Sequence, residues 1–191
     1  MSFLDDFNRS DESLETDANW TLVDGAANAA GVVSNALDCN STQSVGSYHC
    51  PDQSSANHYT QAAFNSTFFG AGPMLTIRAT DGNNFIGFRH QNGAWEIYKR
   101  VSGSFSLLGS FSATLTPGDV GYFEADSSDN ITGKVNGTVR VGPTSESFNN
   151  TETRQGLTPR GQTVSNWIDD FEAGALGGGA TANPWYYYAQ Y

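Results

Sequence analysis

Two groups of side chains in this chain have the types and spacing to do chemistry. The first is acidic and sits at the two ends. "SFLDDFNRSD" brings Asp5 and Asp6, and "TVSNWIDDFEAG" brings Asp169, Asp170 and Glu172. Retaining cleavage of a glycosidic bond needs two carboxyls about 5 Å apart, one as nucleophile and one as acid. A hard cation such as calcium needs several oxygen ligands, and no Asp-x-Asp-x-Asp-Gly loop is present to supply them in one run. The second group is Arg89, Glu96, Tyr98 and Arg100, with Arg78 upstream. An aromatic ring flanked by planar polar groups can stack on a sugar ring while bonding its hydroxyls. The histidines, His49, His58 and His90, stand in no motif, and His90 reads as a strand residue beside a turn. There is no Gly-x-Ser-x-Gly elbow. Phosphate loops and dinucleotide fingerprints are also missing.

The elements that must position these groups read as strands nearly throughout, by period-two alternation. "NWTLVDG", "AGVVSNALD", "YTQAAFNSTFF" and "GPMLTIRATDG" come first. The clearest hairpin is "NNFIGFRHQNGAWEIYKRV", turning at Asn92-Gly93. That turn sets Arg89 opposite Glu96, Phe88 opposite Ile97 and Gly87 opposite Tyr98. Ile86, Phe88, Trp95 and Ile97 then share a core face. Arg89, Glu96, Tyr98 and Arg100 share the other, toward solvent or a ligand, with Arg89 and Glu96 as a cross-strand ion pair. Asn136-Gly137 marks a second hairpin, and "TVSNWIDDFEAG" is the closing strand. "RSDESLETD" predicts one turn of helix, and no longer helical period occurs.

Composition narrows the class. A chain of 191 residues with 38% hydrophobic residues, 12 Phe, 8 Tyr and 4 Trp can bury a core of its own. Charged residues are 15%, against about a quarter in ordinary domains. The net charge of −11 repels phosphate backbones and argues against nucleic acid as a partner. No apolar run is long enough to span a bilayer as a helix, so no membrane partner is expected. "MSFLDDFNRS" has none of the parts of a secretory leader. Seven Asn-x-Ser/Thr triplets, at Asn8, Asn19, Asn40, Asn65, Asn130, Asn136 and Asn149, reflect abundant Asn and Thr unless the chain is secreted. Cys39 and Cys50 flank "NSTQSVGSYH". A hairpin there would join them in a disulfide, the preferred reading in an oxidising setting; two free thiols is the alternative. After Gly174 comes a flexible "ALGGGATANP" and then "WYYYAQY". Trp185, Tyr186, Tyr187, Tyr188 and Tyr191 form either a strand folded back on the domain or a peptide docking on a neighbouring subunit.

The order of motifs resembles a known family. Asp-Asp-Phe-Asn-Arg, Asn-Trp-Thr, Arg-Ala-Thr before a Gly-Asn turn, Val-Asn-Gly, Gly-Leu and the closing Asp-Asp-Phe look like the concanavalin A-like, laminin-G-like jelly roll over residues 3–174. The resemblance implies an all-β, two-sheet antiparallel sandwich at residues 1–174, with residues 175–191 as an extended tail. It implies that the first and last strands lie side by side, with Phe7 and Phe171 in the core. Asp5, Asp6, Asp169 and Asp170 would then converge, either capping turns or holding calcium, the one cofactor the sequence suggests. Laminarinase-type hydrolases share this fold class and carry Glu-x-Asp-x-x-Glu. "WIDDFE" matches Asp169 and Glu172 but puts Trp167 where the nucleophile belongs, so no enzyme is expected.

Two functions fit. The first is a structural protein on the surface of a phage particle, as a capsid decoration or tail component. Its tail peptide would anchor to another virion protein or to a second copy in a closed homo-oligomer. The alternative is an extracellular carbohydrate-binding module using Arg78, Arg89, Glu96, Tyr98 and Arg100. Multivalent display would let both hold at once.

Overall fold

The computed structural model describes residues 2–25, 30–39, 47–65, 72–159 and 166–177. In chain order the strands are β1 (Phe3–Asp5), β2 (Glu12–Ser13), β3 (Thr21–Asp24), β4 (Ala30–Val33), β5 (Ala36–Cys39), β6 (Ser47–His49), β7 (His58–Phe64) and β8 (Met74–Asp81). Then come β9 (Asn84–Gln91), β10 (Ala94–Val101), β11 (Ser104–Ser112), β12 (Asp119–Ala125), β13 (Asn130–Val135), β14 (Thr138–Ser145), β15 (Gly156–Thr158) and β16 (Asn166–Ala175). One 3-10 turn, Leu14–Thr16, lies where the sequence predicted a turn of helix.

The strands form two antiparallel sheets packed as a jelly-roll sandwich, the predicted fold class. The first runs β14-β13-β12-β7-β16-β5-β4-β2, with β1 also on β16; the second runs β11-β10-β9-β8-β15-β6-β3. Alternation decides which side chains meet between them. Phe88 and Trp95 of the second sheet stack at 5.1 Å. Phe88 also stacks on Phe123 of the first at 5.5 Å, and Phe64 meets Trp95 edge-on at 5.1 Å. All four rings are buried. Gly133 makes room for them, since a Cβ there would lie 2.5 Å from the Phe88 ring.

The chain ends meet as expected. Phe3 pairs with Ala173, Leu4 with Glu172 and Asp5 with Phe171. Phe7 and Phe171 are fully buried, and Trp20 sits between them with ring centroids 6.4 and 5.0 Å away. The first Asp-Asp-Phe has a definite task. Asp5 Oδ2 accepts the Trp20 indole N–H at 2.7 Å. Asp5 Oδ1 accepts the Phe7 backbone N–H at 2.9 Å and Arg9 Nη1 at 2.6 Å. Asp6 only turns the backbone, accepting the N–H of Asn8. The second Asp-Asp-Phe forms a bulge: Asp170 has φ 51°, and the register on β7 slips between Asp169 and Glu172.

The predicted cysteine hairpin does not form. β5 pairs with β4 and β16 in the first sheet, whereas β6 pairs with β3 and β15 in the second. β5 and β6 thus belong to different sheets and do not pair with each other. Cys50 is a free, buried thiol whose Sγ donates to the Gln155 carbonyl at 3.4 Å. The expected disulfide with Cys39 is therefore not made. At the other boundary, β16 ends at Ala175, and the Leu176 N–H donates to the Asn57 carbonyl. Residues 178–191, with Trp185, Tyr186, Tyr187, Tyr188 and Tyr191, lie outside the described residues.

Candidate functional site

The Asn92-Gly93 hairpin has the register read from its turn. Arg89 pairs with Glu96, Phe88 with Ile97, Gly87 with Tyr98 and Arg100 with Phe85. Asn92 (φ 49°) and Gly93 (φ 79°) take the left-handed conformations such a turn requires. Ile86, Phe88, Trp95 and Ile97 enter the main core. Period two then places Phe85, Gly87, Arg89 and Gln91 of β9, and Glu96, Tyr98 and Arg100 of β10, on the face turned away from it. β8 adds Met74 and Thr76, because Thr76 pairs with Gly87. The sequence did not single out Met74, Thr76, Gly87 or Gln91; the alternation of β8 and β9 is the signal that finds them.

This outer face is not the solvated surface that polar residues suggest. Arg89 retains 4% of its exposure, and Thr76, Met74 and Phe85 are fully buried. Gly87 lets Met74 and Phe85 close over the floor; a Cβ there would lie 3.0 Å from Met74 Sδ and 3.2 Å from the Phe85 ring. The Arg89 guanidinium lies 4.4 Å from the Tyr98 ring centroid, an interaction strengthened by desolvation. Arg89 Nε stands 3.5 Å from Glu96 Oε2. That ion pair was expected, but its hydrogen bonding is incomplete. Arg89 Nε and Nη1, Glu96 Oε2, Thr76 Oγ1 and Gln91 Oε1 are all buried without a hydrogen-bond partner. An unmet buried group costs about 1–3 kcal/mol, so several on one face ask for a partner.

Arg100 borders the same face. It donates to the Gly103 and Gly82 carbonyls and packs over Phe85 and Phe105. Phe105 in turn meets Tyr98 edge-on at 6.0 Å. Arg78 is elsewhere. It sits at a bulge with φ 51°, and its guanidinium reaches toward the first sheet, donating to the Glu146 carbonyl and Asp129 Oδ1. Its backbone N–H donates to His58 Nε2 on β7. Arg78 thus ties the sheets together and does not join Arg89.

The acidic residues occupy another corner. Burial pushes the Asp169 carboxyl up to about 6, against the lowering hydrogen bond from the Asp170 N–H; the charges of Asp170, Asp6 and Asp5 raise it further. Asp170 is also raised, by burial and then by Asp6. The charges of Asp5 and Asp6 are thus felt at Asp169. Asp5, however, is committed to Trp20, Phe7 and Arg9. Among the described residues no group of three His, Cys, Asp or Glu stands ready to hold a metal. Glu172 accepts the Tyr59 hydroxyl at 2.7 Å and Gln61 Nε2 at 2.6 Å, so both its oxygens are engaged. Tyr59 stacks on Tyr122 at 5.1 Å, and Lys134 covers Tyr122. This second aromatic patch is hydrogen-bonded within itself.

No protein-family model and no curated protein sequence matches the chain. Solved structures do. A carbohydrate-binding module, CBM66 from Bacillus subtilis, superposes with TM-score 0.60 and 15% identity, covering 80% of this chain and 91% of its own. The Emp47p carbohydrate recognition domain gives TM-score 0.59 and 14% identity over 91% and 94%. A xylan β-1,4-xylosidase from Bacillus halodurans C-125 gives 0.63 and 12%, but the match spans 38% of that enzyme against 90% of this chain. At these identities the likeness is one of fold: the chain has the jelly-roll sandwich of lectin-like and carbohydrate-binding domains.

Proposed function

We propose that this chain is a non-catalytic carbohydrate-binding domain that takes its ligand on the outer face of β8, β9 and β10. The observation that carries the reading is Arg89: nine-tenths buried, roofed by Tyr98 and beside Glu96, with two donors lacking acceptors. Sugars answer that need, because each hydroxyl both donates and accepts while the ring's C–H face packs on an aromatic. For the ligand to reach the guanidinium, the half-buried Tyr98 ring turns aside. Similarity to a carbohydrate-binding module and a carbohydrate recognition domain supports the same reading, as does their near-complete coverage by this chain. It fits an extracellular setting. Nothing in the similar structures named above supports the virion role, which rests on the motif-order resemblance, the composition, the missing leader and a tail outside the described residues.

The reading as non-catalytic is supported at Glu172, both of whose oxygens already accept hydrogen bonds from Tyr59 and Gln61. The test is affinity electrophoresis against immobilised polysaccharides. Tyr98→Ala abolishes retardation, while Tyr122→Ala on the other sheet leaves it unchanged. Equal loss in both variants, or retardation unaffected by Tyr98→Ala, removes the proposal.

A further inference from the structure

We infer that the ligand group held at Arg89 is a neutral pair of adjacent hydroxyls, and that Glu96 rejects acidic sugars; this rests on the sugar-binding reading above. A lone guanidinium would favour a carboxylate or sulfate, because its fork matches two anionic oxygens. Here the fork has a carboxylate beside it. Glu96 Oε2 lies 3.5 Å from Arg89 Nε, so an acid seated on Nε and Nη1 would press its charge against Glu96. Arg89 is buried and Glu96 Oε2 is shielded, which leaves little water to screen that repulsion. The net charge of −11 repels an acidic polymer before it arrives.

A hydroxyl pair meets both signs at once. One hydroxyl accepts from Arg89 Nε and donates to Glu96 Oε2. Its neighbour accepts from Nη1 and donates to another open acceptor on the face, Gln91 Oε1. No third charge enters the site. Thr76 Oγ1 stands on the same face, on the strand position paired with Gly87, as a further unmet polar atom. A binder of acidic glycans would have no use for Glu96 at this position.

The experiment is isothermal titration of the intact chain with neutral polymers (arabinoxylan, galactomannan, levan) and acidic ones (polygalacturonate, alginate, hyaluronate). Wild type, Arg89→Gln and Glu96→Gln are compared, each checked for folding by near-ultraviolet circular dichroism. A neutral polymer binds, and both variants weaken it by about tenfold, the effect of one charge-assisted hydrogen bond. The sign for Glu96→Gln decides the matter. If an acidic polymer binds best and Glu96→Gln strengthens it, the neutral-ligand inference falls while the sugar-binding face stands. If no polymer of either kind binds, the sugar-binding reading falls and takes the inference with it. Should Glu96→Gln not fold, salt dependence of the wild type replaces it. Affinity flat from about 20 to about 500 mM salt supports a neutral ligand, and a steep fall overturns it.

Discussion

Asp5→Ala is the sharpest perturbation of how the chain ends close the fold. The carboxylate accepts three donors: Trp20 Nε1 at 2.7 Å, the Phe7 N–H at 2.9 Å and Arg9 Nη1 at 2.6 Å. Arg9 keeps Glu12 and Asp17 after the substitution, so its loss is small. Trp20 Nε1 and the Phe7 amide, both buried, are left with no acceptor. Each such orphan costs about 1–3 kcal/mol, giving about 2–6 kcal/mol in all. For a domain of this size that is a drop in Tm of about 5–15 °C. Urea unfolding followed by tryptophan fluorescence measures it. Asp6→Ala is the control: its hydrogen bond from the exposed Asn8 amide predicts a change within about 0.5 kcal/mol. If Asp5→Ala costs under about 1 kcal/mol, or Asp6→Ala costs as much, the closing role assigned to Asp5 is wrong.

Other perturbations test other parts. Gly133→Ala forces a Cβ to within 2.5 Å of the Phe88 ring, which is clamped between Trp95 and Phe123, and costs about 1–3 kcal/mol in thermal melts. Burial holds His49 and His58 down to about 4, below the ordinary 6.5, so they fold neutral. The unfolded chain protonates them first, and stability falls as pH drops from about 6.5 to about 4. Asp169, raised to about 6, works the other way: its contribution is present at low pH and lost as pH rises through 6. Asp169→Asn therefore stabilises at pH 7, by about 1 kcal/mol after solvent screening, and is neutral near pH 3.5, as urea midpoints at the two pH values will show. Burial pushes the Cys50 thiol up to about 12, so it resists alkylation at pH 8 in the native protein and reacts once urea unfolds it; rapid native labelling would contradict its placement.

What the sequence revealed follows range of interaction. Asn92-Gly93 fixes a two-residue turn, and a turn of known length fixes every pairing in β9 and β10, so that register was legible. The second Asn-Gly turn placed β13 against β14 in the same way. The meeting of the two Asp-Asp-Phe motifs was legible through a resemblance in motif order, not through local pattern. Cys39 and Cys50 misled because spacing along the chain is silent on which sheet a strand joins. Arg89 misled for a related reason. Its place on the outer face was readable from alternation, but its burial depends on Tyr98 packing over its guanidinium, which only the assembled sheet supplies. Arg78 looked like a companion of Arg89 until a bulge at its own backbone turned it toward Asp129 and Glu146.

The account's central claim is that the outer face of β8–β10 holds a sugar. The most direct measurement is backbone amide NMR of the nitrogen-15-labelled chain titrated with the oligosaccharide of a neutral polymer that binds. The account predicts shifts centred on Thr76, Gly87, Arg89, Gln91, Glu96 and Tyr98, all weakened together in Arg89→Gln. Shifts centred instead on Tyr59, Tyr122 and Lys134, or on the Asp5–Asp169 corner, would contradict it.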